Sequence, residues 1–497
     1  MTDSDRCSSS PGSGGDIADE VEVARVAQAA WRDAPLKTRL RLIGRARRQM
    51  ASRVDDLITA VDSSKARRPG ETLAAEVLPL AEACRYLKRR APSILKRRKP
   101  ARNLLSVLSV GVSVEVLREP LGVVLVIGPS NYPLLLPGVQ ALQALAAGNA
   151  VLIKPGATGA ASARVLVDIL GQAGLNPALC RVLPESPQAA QQAVEAGVDR
   201  VVLTGSARTG RVVLEQLAPH LTPATMELSG CDAVFVLPGA DPDLVARAVM
   251  FGLRLNNGAT CMSPRRVFAR ADMLDDIRGR LTELVEGGPA CRVDPGAADF
   301  ARELITEAVE TGAAMVAGRM ENDDWLPVVL GDASPEMRLL QADVFAPVVS
   351  LVPVADMTEA LRADRQCPYA LGASVFGPAG AARDLAERVR AGAVVVNDMI
   401  VPTADPRLPF GGRDQSGYGV TRGAEGLLEM TRPKAIAVQH SPWRPHLEAP
   451  ISESAGVLRA YMKFAHGRSL RERLRGLREM GRVALGQLFT RSGDGAD

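Results

Sequence analysis

Residues 121–154 read LGVVLVIGPSNYPLLLPGVQALQALAAGNAVLIK, with two unbroken apolar runs separated by a Gly/Pro/Asn turn and a helix-forming stretch. A strand with one face in water alternates apolar and polar residues; a strand covered on both faces does not. Leu121–Ile127 and Ala150–Lys154 are therefore expected as buried parallel strands, joined by a helix over Leu134–Ala147 into a βαβ unit. The pattern repeats downstream. A helix is expected over Ala160–Ala173, a strand near Arg181–Leu183, a helix over Gln188–Ala196 and a strand over Arg200–Leu203. That last strand feeds TGSARTG into a helix over Arg211–Leu217. Such alternation predicts an α/β chain with a Rossmann-type open parallel sheet and helices on both faces.

A second α/β region opens near Asp232. It holds strand AVFVLP, helix Pro242–Arg254, the loop carrying Cys261, strand RRVFAR, a helix over Met273–Val285, and strands at Val348–Pro353, Ala373–Phe376 and Ala393–Asn397. Upstream, Ala18–Arg67 and Thr72–Leu95 place apolar residues three and four apart, as amphipathic helices do. Ser106–Leu117 alternates like an exposed hairpin and needs a partner strand along its edge.

Composition narrows the chemistry. The 497 residues suffice for two or three domains, and 46% hydrophobic with 23% charged residues is ordinary for a globular chain. Seven scattered cysteines without a CxxC pair point to a reducing compartment, taken here as cytoplasmic, and give no zinc or disulfide framework. Of four histidines, His440, His446 and His466 lie near the C-terminus. A histidine triad or metal cluster is not expected, and no metal is assigned. The polar, Gly/Ser-rich start, residues 1–17, reads as a disordered lead. Leu121–Gly128 is far short of the roughly 20 apolar residues of a membrane helix. From Trp443 onward ten basic residues face six acidic ones, so this tail carries the whole net charge of +4 and the main body has no nucleic-acid footprint. Within the tail, Ser469–Leu488 places leucines on one face and Arg471, Arg475, Arg478 and Arg482 on another. Such a helix lies on an anionic membrane, binds a protein, or packs on its own body.

Cys261 follows Asn256, Asn257, Gly258 and Thr260, a polar turn-forming lead-in suited to an activated thiol, although an isolated cysteine is commonly a small buried hydrophobe. Glu227, in TMELSG, is a general-base candidate if desolvated, and otherwise a surface residue. Asn131, after the first buried strand, could donate to an oxyanion or simply form a turn. Gly205–Gly210 between strand and helix offers a phosphate loop or an ordinary tight turn. Lys154 sits at a strand end where such sheets bind ligands, or is a solvated terminus.

Taken together, EPLGVVLVIGPSNYP, AAGNAVLIKP, LTGSARTG, MELSG, NNGATC, DVFAPV, LPFGGRDQSGYG and TRPKAIAV occur in an order that resembles the aldehyde dehydrogenase superfamily from about Ala18 to Gln439. The pitch is most similar to the compact class-3-like, or fatty-aldehyde-type, branch. The resemblance implies Cys261 as nucleophile, Glu227 as general base, and Asn131 with the Cys261 N–H as oxyanion donors. It further implies Lys154 at a cofactor ribose, Gly205, Ser206 and Gly210 at the pyrophosphate, and Asp343 and Phe345 beside the nicotinamide ribose of NAD or NADP.

The implied layout is a cofactor domain over 18–105 and 119–231, a catalytic domain over 232–424, bridging strands at 106–118 and 425–440, and a C-terminal extension over 441–497. The implied partners are a small-molecule aldehyde substrate and a second copy in a homodimer. Departures from the pattern are Ser130, Ala157, Cys231 and Asp343, and a shortened segment between Cys261 and Asp343. Ala157 leaves no acid to repel a 2′-phosphate, so NADP is permitted. The expected reaction is NAD(P)-dependent oxidation of an aldehyde to a carboxylic acid through a Cys261 thiohemiacetal and thioester. A CoA-acylating or acyl-phosphate-forming relative, or a non-catalytic scaffold, is the alternative.

Overall fold

Two strands set the frame. Every residue of Val123–Ile127 and Ala150–Lys154 is buried, and they pair in parallel, Val123 opposite Ala150 through Ile127 opposite Lys154. The computed structural model describes residues 16–65, 67–101, 111–442, 444, 447 and 455–491. The connecting helix, Leu135–Ala147, is buried along its whole length because N-terminal helices Leu36–Ser52 and Leu78–Ile94 also pack on it. A Cβ at Gly138 would stand 2.9 Å from Leu80 Cδ1, so glycine permits that close helix crossing.

The first sheet runs in the order Gly417–Tyr418, Ala224–Leu228, Arg200–Gly205, Val123–Ile127, Ala150–Lys154, Cys180–Val182. All neighbours are parallel except Gly417–Tyr418. The chain moves outward from Val123–Ile127 on one side, then returns to its other side with Arg200–Gly205. The strand order reverses there, and open α/β sheets bind ligands beyond the carboxyl ends of strands at such a point.

The second sheet runs Ala314–Glu321, Asp324–Gly331, Val348–Pro353, Pro264–Ala269, Asp232–Val236, Gly372–Phe376, Ala393–Val396, with Cys291–Arg292 also paired to Asp324–Gly331. Its core includes Trp325 and the stacked pair Phe235–Phe268, ring centroids 5.5 Å apart. The segment expected to be short supplies four strands, Pro264–Ala269, Cys291–Arg292, Ala314–Glu321 and Asp324–Gly331, and two helices, Ala271–Glu286 and Pro295–Glu310. The antiparallel hairpin Ala314–Gly331 closes that side of the sheet.

Both sheets belong to one compact unit, bounded at Leu95, Glu119 and Arg432. The second unit, residues 96–118 and 433–497, contains most of a two-stranded ribbon of Val112–Pro120 and Thr431–Gln439. The expected partner strand is thus Thr431–Gln439, while Gly423–Glu429, placed with the bridging strands above, is a helix. Glu115 holds Arg97 at 2.9 Å and Lys99 at 3.4 Å. The tail forms two helices, Ala455–His466, not foreseen, and Leu470–Arg491. They meet at Gly476, where a Cβ would lie 2.4 Å from the Phe464 nitrogen. The leucine face is not what packs: Leu470, Leu474 and Leu477 are 74%, 47% and 47% exposed. Among the described residues no helix is long and apolar enough to cross a membrane. The expected lead falls on residues 1–15, outside the described residues, with Ile17 already opening helix Ile17–Asp33. The start of the expected hairpin, 106–110, and most of 443–454 also lie outside them.

Candidate active site

Helix Pro242–Arg254 ends in a turn in which Asn256, Asn257 and Gly258 all have left-handed backbone, with φ of 52°, 56° and 81°. Asparagine tolerates this conformation better than other side chains. At Gly258 nothing larger fits, since a Cβ would stand 2.5 Å from the Pro347 nitrogen. The turn brings Cys261, half-buried, to the floor of two cavities just before strand Pro264–Ala269.

Asn131 arrives from the other side on the loop after Ile127. It is buried rather than exposed as a loop residue would be. Its Nδ2 donates to the Ala259 carbonyl at 3.0 Å, which ties it to the cysteine loop and, among the described residues, leaves the second amide hydrogen available to a ligand. Asn256 Nδ2 donates to the Asn131 carbonyl at 3.1 Å, and Tyr132 and Thr260 hydroxyls meet at 2.8 Å.

Behind both loops lies a pair that the sequence did not reveal. Arg67 and Glu76 form an ion pair at 2.6 Å with both side chains fully buried. Arg67 also donates to Asn256 Oδ1 and to the Asn131 carbonyl, and its guanidinium lies 4.9 Å from the Tyr132 ring centre. Glu76 accepts from the Leu134 and Leu135 N–H groups at 2.8 and 3.0 Å. Burial raises the Glu76 pKa, and Arg67 with those two donors opposes the shift. Glu76 can point inward because residues Leu73–Val77 form a π-helical turn, a distortion common at functional sites.

Glu227 is positioned by sheet register. Strand Ala224–Leu228 sets it opposite Thr204, and Thr421 Oγ1 donates to Glu227 Oε2 at 3.2 Å. Glu227 Oε1 has no partner among the described residues, so one acceptor is open. Burial raises the Glu227 pKa and Arg422 opposes it. The Cys261 thiol is also pushed up, first by burial, then by the charges of Glu227 and Asp232, again with Arg422 opposing.

Cys261 and Glu227 line both cavities. One is about 700 Å³ and mostly apolar, walled by Leu135, Met250, Phe251, Leu284, Ile400 and Phe410 among others. The other is a cleft of about 470 Å³ at the strand-order reversal, and it gathers Asn131, Lys154, Gly205, Ser206, Asp343 and Phe345. Gly210 is the expected member that does not line the cleft. Helix Ala207–Leu217 begins earlier than the sequence suggested and takes Gly210 into its first turn, where a Cβ would meet Leu228 Cδ1 at 2.9 Å.

The cleft fits a nicotinamide dinucleotide. A Cβ at Gly205 would meet protein no closer than 3.6 Å, so the absent side chain serves the cleft rather than internal packing. Ser206 Oγ accepts from Thr209 N at 3.2 Å and caps a helix whose remaining first-turn N–H groups suit phosphate. Lys154 supplies a cation whose pKa burial lowers, against the pull of Glu185. Pro187, Ala190, Val212 and Val213 offer apolar surface for a flat base. Asp343, with its pKa raised to about 6 by burial against the opposing Ser229 hydroxyl and Arg265, lines the cleft where it could accept from ribose hydroxyls. Ala157 and Ser130 also line the cleft, whereas Cys231 is buried, with its thiol on the Leu340 carbonyl at 3.4 Å.

Comparison with known proteins gives the same reading. The sequence pattern of the aldehyde dehydrogenase family matches residues 2–436. The chain is 29% identical over 465 residues to 4,4'-diapolycopene aldehyde oxidase of Methylomonas sp, covering 91% of this chain and 87% of that one. It is 32% identical over 445 residues to a putative succinate-semialdehyde dehydrogenase [NADP(+)] 2 of Mycobacterium ulcerans, covering 84% of each. Among solved structures, NADP-dependent glyceraldehyde-3-phosphate dehydrogenase of Bacillus halodurans complexed with NADP superposes with a TM-score of 0.80 at 28% identity, over 86% of this chain and 91% of that one. A Mycobacterium tuberculosis aldehyde dehydrogenase complexed with NAD+ gives 0.79 at 25% identity, over 86% and 92%. With a half-buried cysteine, a buried carboxylate and a cleft that fits a dinucleotide meeting at one point, and with the family pattern running over residues 2–436, the chain belongs to the aldehyde dehydrogenase family, the NAD(P)-dependent oxidoreductases that convert aldehydes to acids.

Proposed function

We propose that the chain oxidises a large apolar aldehyde, with Cys261 as nucleophile, Asn131 as oxyanion donor and Glu227 as base. The observation that carries this reading is the position of Cys261 and Glu227 on the shared floor of the apolar cavity and the dinucleotide cleft. The Cys261 sulfur adds to the aldehyde carbon, and the free Asn131 amide hydrogen and the Cys261 N–H hold the resulting oxyanion. When bound in the cleft, NAD or NADP supplies the hydride acceptor. Glu227 Oε1, the open acceptor, then takes a proton from water as that water attacks the Cys261 thioester carbon, releasing the acid and the thiol. The apolar walls exclude bulk water from the thioester until the base delivers one molecule.

The relative named as a diapolycopene aldehyde oxidase supports a long, apolar substrate. The test is NAD(P)H formation by the purified chain with NAD and NADP, each against short polar, aromatic and long-chain aldehydes. Long apolar aldehydes should show the highest kcat/KM, and preference for a short polar aldehyde would sink the substrate assignment. A requirement for CoA or phosphate would replace hydrolysis by acyl transfer.

We further propose a cytoplasmic homodimer. Among the described residues six cysteines are free, five of them buried, which suits a reducing compartment. The ribbon of Val112–Pro120 and Thr431–Gln439 exposes Val114, Ile436 and Val438, and an isolated two-stranded ribbon is marginal without further pairing. We also propose that the tail helices touch anionic membrane surface, with Leu470, Leu474 and Leu477 exposed beside a row of arginines. Light scattering should give twice the chain mass, and cosedimentation should occur with anionic but not neutral vesicles. A monomer, or equal binding to both vesicle types, would refute the respective assignment.

A further inference from the structure

Arg422 is a side chain for which the chemistry above has no use. It lines the apolar cavity with Cys261 and Glu227, yet it is buried, and its Nε has no partner among the described residues. Its backbone stands at φ 59° and ψ −178°, a conformation that costs a non-glycine residue on the order of 1–3 kcal/mol and persists where the surroundings enforce it. Several contacts enforce it here. The Arg422 N–H donates to Gln143 Oε1 at 3.3 Å, and Nη1 donates to the Thr403 carbonyl at 2.8 Å. The guanidinium lies 4.4 Å from the Phe410 ring centre, and the Arg422 carbonyl accepts from Gly426 N at 2.7 Å, starting helix Gly423–Glu429. A strained backbone, a clamped cation and an unspent donor at the wall of a reaction chamber are a costly arrangement for packing alone.

The charges around the chamber give the arrangement a purpose. Glu227, Asp232 and Asp343 all bear on Cys261, and each disfavours the thiolate. Arg265 also faces Cys261, but its donors are committed to the Ala346, Val348 and Gly258 carbonyls, and it lines neither cavity. Glu227 is flanked by the neutral hydroxyls of Thr204 and Thr421 and by Arg422. Arg247 and Arg254 line the same apolar cavity, but Arg247 is paired with Asp243 at 2.8 Å and Arg254 donates to the Leu284 carbonyl at 2.7 Å. A buried anion without a compensating cation neutralises itself by taking up a proton.

We propose that Arg422 is a fixed cation built into the reaction chamber, favouring the ionised forms of Glu227 and Cys261 against the burial that disfavours them. It is a positioning residue, acting through those two groups and not on the aldehyde. The inference rests on the roles given to Cys261 and Glu227 above. Arg422 opposes the upward shift of both groups, which agrees with the geometry.

The test compares Arg422→Gln, Arg422→Met and Arg422→Lys with the parent, first by the pH dependence of Cys261 alkylation with iodoacetamide, without cofactor or aldehyde. The neutral variants should alkylate about tenfold more slowly at a fixed pH below the titration midpoint, a one-unit rise being a factor of ten in thiolate. Arg422→Lys should recover most of the rate. In steady state, the acid limb of kcat should move to higher pH in Gln and Met and stay near the parent's in Lys. Unchanged profiles in Gln and Met, or a Lys variant as impaired as they are, would overturn the proposal, the latter by showing that shape rather than charge matters. Should neither neutral variant fold, the Lys profile decides alone: coincident with the parent it supports the fixed cation, displaced it does not. Absence of aldehyde oxidation in the parent would strike the proposed function and leave the alkylation result readable.

Discussion

Cys261→Ala should abolish aldehyde-dependent NAD(P)H formation, by about 10⁴-fold or more, while the thermal transition stays in place. Loss of a nucleophile removes the covalent path and leaves what binding and oxyanion donors can do alone. Folding should tolerate the change because Cys261 lines the two cavities and is not among the buried residues of the hydrophobic core. The loop is held instead by backbone and neighbours: the left-handed run Asn256–Gly258, the Asn256 bonds and the Tyr132–Thr260 contact. Steady-state turnover and a calorimetric scan of the same preparation check both halves. Residual turnover above about one per cent of the parent would move the nucleophile elsewhere.

Glu227→Gln gives the second large effect, and it separates the two halves of the reaction. The first turnover should proceed as a burst of reduced cofactor, after which the rate falls by about 10²–10⁴-fold, the range associated with loss of a positioned base. Intact-protein mass spectrometry should then show the acyl group on Cys261. A slow burst with no acyl adduct would assign Glu227 to the first half. The same substitution should make the protein more stable at neutral and alkaline pH. Burial raises the native Glu227 pKa, so the native state holds this proton more tightly than the unfolded chain does. As pH rises above the ordinary carboxylate value, the unfolded state loses its proton first and native stability declines. Glutamine has no such loss, so its advantage should vanish on going below that pH. Thermal midpoints measured across that range check the sign.

Much of this was written along the chain. Unbroken apolar runs gave the parallel strands, and the alternation with helices gave the sheet type, because burial on two faces leaves a one-dimensional signature. Cys261, Glu227, Asn131, Lys154 and the Gly205–Gly210 loop stood out as candidates because they lie beside strands or turns, whereas Asp343 and Phe345 were implied by the family resemblance alone. What failed to show were partners brought together by tertiary distance. Arg67 and Glu76 are nine residues apart, and Arg67 closes on Asn131 and Asn256 across 64 and 189 residues. Thr421 and Arg422 reach Glu227 from the far end of the unit, with nothing local to set them apart from other polar residues in a glycine-rich loop. Gly210 was misplaced for a local reason: Ser206 caps the helix five residues before its expected start, so a glycine read as loop is a packing position. The hairpin Ala314–Gly331 was missed because its first strand is bulged and largely exposed, which blurs the alternation that marks a strand.

The two cavities meet at Cys261 and Glu227 but otherwise have almost separate walls. A molecule seated in the apolar cavity therefore leaves the cleft open, and the reverse holds. Inhibitors of the two kinds need not compete, and joining them by a short tether across the cysteine makes the second binding event intramolecular. Where the tether matches the gap, affinity rises without any new contact, by the effective concentration that the link imposes.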